Sequence, residues 1–149
     1  MKYTAILLAC MVSLNINARA SEDKLAGLEE LRWQYRVILI FAHEPYRSNA
    51  LANLDEFKAE IEERDIAWFV LDYNTLHTNY GGKLEDQLRE ELMDSYFKPV
   101  PTETAVRLIG KDGGIKSRST DLDLEATFGL IDQMPMWRAE MRRGSDGLD

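Results

Sequence analysis

The chain has 149 residues, with 26 Asp and Glu against 18 Lys and Arg and a formal net charge of -8. That acidity argues against nucleic acid and anionic membrane surfaces as partners. The length suits one domain with a real core, and no repeat, second domain or low-complexity linker divides it.

The first 20 residues read as a signal peptide. Lys2 is a minimal charged start, and Ala5 to Leu14 is an apolar run too short to span a bilayer. Ala18-Arg19-Ala20 puts small residues where signal peptidase cuts, so Ser21 is the expected first residue of a periplasmic or secreted protein. Removing residues 1–20 takes away Lys2 and Arg19 and leaves a formal charge of -10. It also removes Cys10, the only cysteine. A competing reading takes Leu7-Leu8-Ala9-Cys10 as a lipobox, which would anchor the chain through a lipidated Cys10.

From Ser21 to Tyr35, Leu25, Leu28 and Leu31 recur at helical spacing, which predicts a short amphipathic helix lying as a lid. Trp33 and Tyr35 are expected to pack. Val37 to Ala42 is a continuous apolar run, the pattern of a strand buried on both faces. His43-Glu44-Pro45-Tyr46 breaks it. Ser48 or Asn49 can cap a helix whose stripe of Leu51, Leu54, Phe57 and Ile61 runs to about Arg64. Ile66 to Leu71 is a second apolar strand, so a βαβ unit with parallel strands is expected.

Asp72 to Gly82 reads as a polar loop, and Leu84, Leu88 and Leu92 as a helix reaching about Ser95, with Glu85 and Arg89 paired along it. Pro99 and Pro101 end that segment. Val106, Leu108 and Ile115 flank Gly110 to Gly114 as two strands of a hairpin, with Asp112-Gly113 supplying positive φ at the turn. Asp121 or Asp123 caps a last helix in which Leu124, Phe128 and Ile131 face the core. Pro135 kinks or restarts it, Met136 to Arg143 forms a short extra helix, and residues 144–149 form a disordered tail.

The order β-α-β, α, β-β-α is that of the thioredoxin core. The segments Arg32 to Ala42, Glu63 to Leu71, Arg107 to Ser119 and Leu130 to Arg143 resemble a secreted bacterial family of unknown function. Its fold is peroxiredoxin-like, and the same domain type occurs in animal sushi-repeat-containing extracellular proteins. The resemblance implies an α/β, thioredoxin-like three-layer sandwich over residues 21–143, with a central mixed sheet and a C-terminal β-hairpin. It implies export and no established activity or cofactor. Thioredoxins carry their redox cysteine after the first strand, where a helix N-terminus lowers its pKa. Here those positions are His43 to Ser48, without sulfur.

Ligands of open α/β sheets bind beyond the carboxyl ends of the strands. Two loops populate that place, one with His43, Glu44, Tyr46 and Arg47, the other with Asp72, Tyr73, Asn74 and His77. The expected activity is non-catalytic binding of a protein or small ligand through His43, Glu44, Tyr46, Arg47, Asp72 and His77. The alternative is a metal-dependent or cysteine-independent enzyme, for which His43 and His77 would have to share a carboxylate around a divalent ion. Met134, Met136 and Met141 are thioether ligands in principle, and core-gap fillers in the simpler reading.

Overall fold

The computed structural model describes residues 24–145. The expectations for the signal peptide, Cys10, the Ala20-Ser21 junction and residues 146–149 lie outside the described residues.

Six residues from Arg36 to Phe41 form β1 and six from Ile66 to Leu71 form β2; the two pair in parallel from Arg36 with Ile66 to Phe41 with Leu71. The hairpin is β4, Ala105–Ile109, and β5, Ile115–Ser119. A short edge strand β3, Leu76–Thr78, pairs antiparallel with the end of β2. The sheet order is β3-β2-β1-β4-β5, with β1 central and β4 antiparallel to it. The apolar runs of β1 and β2 are continuous because both faces of the sheet are covered.

On one face Leu54, Ile61, Phe128, Ile131 and Trp137 pack over Ile38, Ile40, Val70 and Leu108. They come from α1 (Tyr46–Glu56), α2 (Lys58–Glu63), α4 (Leu124–Asp132) and α5 (Pro135–Ser145). On the other face Leu25, Leu28 and Leu31 join Leu88, Leu92 and Phe97 over Leu39, Phe41 and Phe69. Leu88 and Leu92 belong to α3, Leu88–Tyr96. Each fully buried leucine or isoleucine contributes about 1.5–3 kcal/mol, so both layers hold the sheet by burial. This is an α/β, thioredoxin-like three-layer sandwich around a mixed five-stranded sheet.

Several local expectations are corrected. Leu25, Leu28 and Leu31 are buried, yet only Leu28–Leu31 is helical, as one 3-10 turn. Leu25 instead forms a parallel bridge with Leu84, through Leu25 N to the Lys83 carbonyl and Glu85 N to the Leu25 carbonyl. Leu84 is thus outside α3, and Arg89 pairs with Glu90 rather than Glu85. The helix after β1 begins at Tyr46 and breaks at Phe57, which separates α1 from α2. Trp33 is not packed: it is 67 % exposed and has a φ of 66°. At the hairpin only Gly113 has positive φ, 82°; Asp112 does not. Asp123 caps α4 as expected, accepting from Ala126 N at 2.9 Å, and Pro135 restarts the chain as the first residue of α5 as expected, but α5 runs past Arg143 to Ser145. Among the described residues the peptide bonds before Pro45 and Pro99 are cis.

Candidate functional site

The carboxyl ends of β1 and β2 lie side by side, so the loops that follow them meet. His43 to Pro45 leads into α1, whose first turn is closed by Arg47 N donating to the His43 carbonyl at 2.9 Å. No side chain of Ser48 or Asn49 caps this helix. Glu44 takes that place in another way, since its Oε2 accepts from Ser48 Oγ at 2.7 Å and from Ser48 N at 3.3 Å. An acidic group at the start of a helix is favoured by the partial positive charge there.

Arg47 ties the two loops together. Its Nη2 donates to Glu44 Oε1 at 2.8 Å and its Nε to the same oxygen at 3.1 Å. Its Nη1 donates to Asp72 Oδ2 and, at 3.0 Å, to Thr75 Oγ1. Asp72 is buried, and its Oδ1 accepts from Asn74 N at 2.8 Å, Thr75 N at 2.7 Å and Thr75 Oγ1 at 3.0 Å. The Asp72 side chain thereby closes its own turn, as aspartates at loop starts do. Burial raises the Asp72 pKa, but the donors from Asn74 and Thr75 and the charge of Arg47 outweigh it and hold the carboxyl below its ordinary value. Glu44 is also held low, chiefly by Ser48 and then by Arg47.

Beside this lattice lies an open groove of about 560 Å³, lined by His43, Glu44, Tyr46, Thr102 to Thr104, Thr120 and Asp121. Its far wall comes from the approach to β4 and the exit of β5, neither of which the sequence reading placed here. Tyr46 is 63 % exposed and Tyr73 53 %. The His43 ring stacks on Tyr73 at 5.2 Å, and both meet the buried Phe41 ring edge-on. His43 is therefore held by aromatic rings.

Of the expected site residues, Glu44, Arg47 and Asp72 come together in one hydrogen-bonded group, and His43 and Tyr46 flank the groove. His77 stands apart on the edge strand β3, opposite Val70, and is exposed. Among the described residues no three His, Cys, Asp or Glu side chains are grouped as a metal ion requires, so His43 and His77 do not share a carboxylate in this geometry. Met134 packs against the core and Met141 is 50 % exposed. Thr75, Thr102, Thr104 and Thr120 belong to the site without having been singled out from sequence; only their neighbours in space mark them.

Fold and site together define a thioredoxin-like domain without a cysteine among its described residues. The family model "Domain of unknown function (DUF4174)" matches residues 27–140, and the chain belongs to that family. No curated protein matches it in sequence. Among solved structures it is similar to the pneumococcal exposed lipoprotein thioredoxin Etrx1 from Streptococcus pneumoniae strain TIGR4, at 16 % identity and a TM-score of 0.46, covering 72 % of this chain and 90 % of that one. No helix among the described residues is long and apolar enough to cross a membrane.

Proposed function

We propose that the protein is an exported, non-catalytic binding module, a thioredoxin fold that keeps its strand-end groove without a redox centre. One observation carries this reading. The charged groups at the ends of β1 and β2 are already paired: Glu44 and Asp72 are both bound to Arg47 and to local donors. Peroxide reduction and disulfide exchange both begin with a thiolate, and His43 to Ser48 offers none. What faces solvent there is recognition chemistry, the exposed Tyr46 beside threonine hydroxyls, suited to a protein segment or a small polar ligand.

Export is part of the proposal and rests on the small residues at Ala18-Arg19-Ala20. Intact-mass analysis of the exported protein should give a chain that begins at Ser21, without lipid and without Cys10. A diacylated chain starting at Cys10 would place it on a membrane instead.

The activity test uses protein verified to start at Ser21, with metals removed. Insulin reduction and hydrogen peroxide consumption should both stay at the level of a heat-denatured control. Turnover above that control would overturn the reading. Turnover that returns only with added metal would favour a metal-dependent enzyme instead.

A further inference from the structure

A second place carries chemistry that the strand-end groove does not use. Arg107 sits in the middle of β4, on the sheet face that α3 covers, between Ala105 and Ile109. Its register partner on β5 is Arg118, so two guanidinium groups stand on one face of an antiparallel pair. Like charges directly opposite one another repel. Arg36, Arg47, Arg64 and Arg89 each face a carboxylate. Arg107 does not. Its Nη1 donates to the Val106 carbonyl at 3.0 Å, and its guanidinium lies 5.4 Å from the centre of the Phe97 ring. Its Nε is buried and has no hydrogen-bond partner among the described residues. Burial, and then the charge of Arg118, push the Arg107 pKa below the usual arginine value, as they would where no anion is at hand.

Arg107 opens onto a groove of about 480 Å³. Phe97, Pro99, Val100 and Pro101 give it an apolar side, and Val100 is 42 % exposed. Thr102 and Thr104 add hydroxyls, Lys98, already paired with Asp94 at 2.9 Å, adds an ammonium, and Glu103 adds a carboxylate on the same lining. That carboxylate opposes a multiply charged anion and tolerates a singly charged one. Arginine's planar fork matches a carboxylate in two-point geometry.

We propose that this groove binds a monocarboxylate with a short apolar body. Its carboxylate is received by Arg107, whose cross-strand partner Arg118 adds a second positive charge nearby, and its chain lies along Pro99 to Pro101. The site stands on different observations from the strand-end groove and does not depend on what fills that groove.

The probe is sodium hexanoate, titrated into isotopically labelled protein and followed by NMR. The Arg107 side-chain Nε–H and the amides of residues 98, 100 and 102–104 should shift saturably at concentrations up to about 10 mM, the range of a weak small-ligand site. Hexanol should leave the Arg107 Nε–H in place, and inorganic phosphate should bind more weakly than hexanoate. Arg107→Gln should weaken hexanoate binding on the order of tenfold, the loss expected for one charge-assisted contact. Arg118 is exposed on an edge strand, so Arg118→Gln keeps the fold and should weaken binding about threefold or more. The proposal is overturned by any of four results. These are no saturable shift, equal shifts with hexanol, phosphate binding as tightly as hexanoate, or unchanged affinity in folded Arg118→Gln.

Discussion

Gly113 shows what a single residue does in this chain. Lys111 and Asp112 make the bend, Gly113 N donates to the Gly110 carbonyl at 2.9 Å, and Gly113 then takes a φ of 82° so that Gly114 can rejoin the ladder. A side chain at that φ is strained, so Gly113→Val should cost about 1–2 kcal/mol or more. An unchanged melting temperature would show that this φ does not constrain the turn. Asp72 shows the converse, a side chain that substitutes for backbone partners. Its folded pKa lies below its unfolded value, so its contribution is complete above the unfolded value and is lost as pH falls through the folded one. Asp72→Asn should therefore lower stability at neutral pH by about 1–3 kcal/mol and flatten the acid side of the stability profile. Thermal melts from neutral pH into the carboxylate range read both effects. Asp72, Glu44 and Arg47 were legible as a strand-end polar cluster because the ends of β1 and β2 are marked by abrupt breaks in apolar runs. That they pair with each other was not legible. Pairing depends on rotamers and on Thr75, which nothing in the sequence distinguishes from any loop threonine.

At the level of elements, β1, β2, β4 and α4 were legible because each carries an apolar pattern of the right period and a clear stop. The 3-10 segment and β3 were not. Leu25, Leu28 and Leu31 have helical spacing, but Leu25 is satisfied across the fold by the backbone around Leu84. That is a tertiary contact, and local periodicity carries no trace of it. Strand β3 is three residues long with one apolar side chain, too short to show alternation. It leaves the first half of β2 unpaired on the outer side. Asn79 fills the gap: Trp68 N donates to its Oδ1 at 2.8 Å, and its Nδ2 donates to the Ile66 carbonyl at 3.0 Å. One amide side chain thus caps a strand edge that would otherwise offer a donor and an acceptor to another chain. Asn79→Ala should destabilise by about 1–2 kcal/mol through the two lost bonds. It should also raise concentration-dependent self-association in sedimentation or size-exclusion measurements. A variant as stable and as monodisperse as the parent would show that water replaces the cap without consequence.

Across the whole molecule, two ionic groups sit at opposite ends of the sheet. The strand-end lattice of Glu44, Arg47 and Asp72 holds the loops together. At the other end Arg36, 1 % exposed, donates to the Arg64 carbonyl at 2.9 Å and to Glu140 at 3.1 Å. Lys111, also buried, reaches Glu140 at 2.8 Å and Asp65 at 2.9 Å. Trp137 lies beside the guanidinium groups of Arg36 and Arg64. Glu140 therefore joins α5 to the start of β1 and to the hairpin turn. Burial works against its charge, but the bonds from Lys111 and Arg36 outweigh it and keep the carboxyl low. Its stabilising share likewise disappears as pH falls through its folded pKa. Removing Glu140 would leave the buried Arg36 without a carboxylate, while Lys111 keeps Asp65, and breaking a buried pair in this way costs about 3–5 kcal/mol. Glu140→Ala should show a loss of that order and weaken the docking of α5, visible as faster amide exchange in residues 136–143. The two clusters are separated by the length of β1, six residues at about 3.3 Å each, or roughly 16–20 Å. They share no partner, so Glu140→Ala and Asp72→Asn should add to within about 0.5 kcal/mol in the double variant. A coupling larger than that would mean that strain at one end of β1 reaches the other. The two ends would then respond to pH as one unit, and ligand binding at the groove would depend on how firmly α5 is docked.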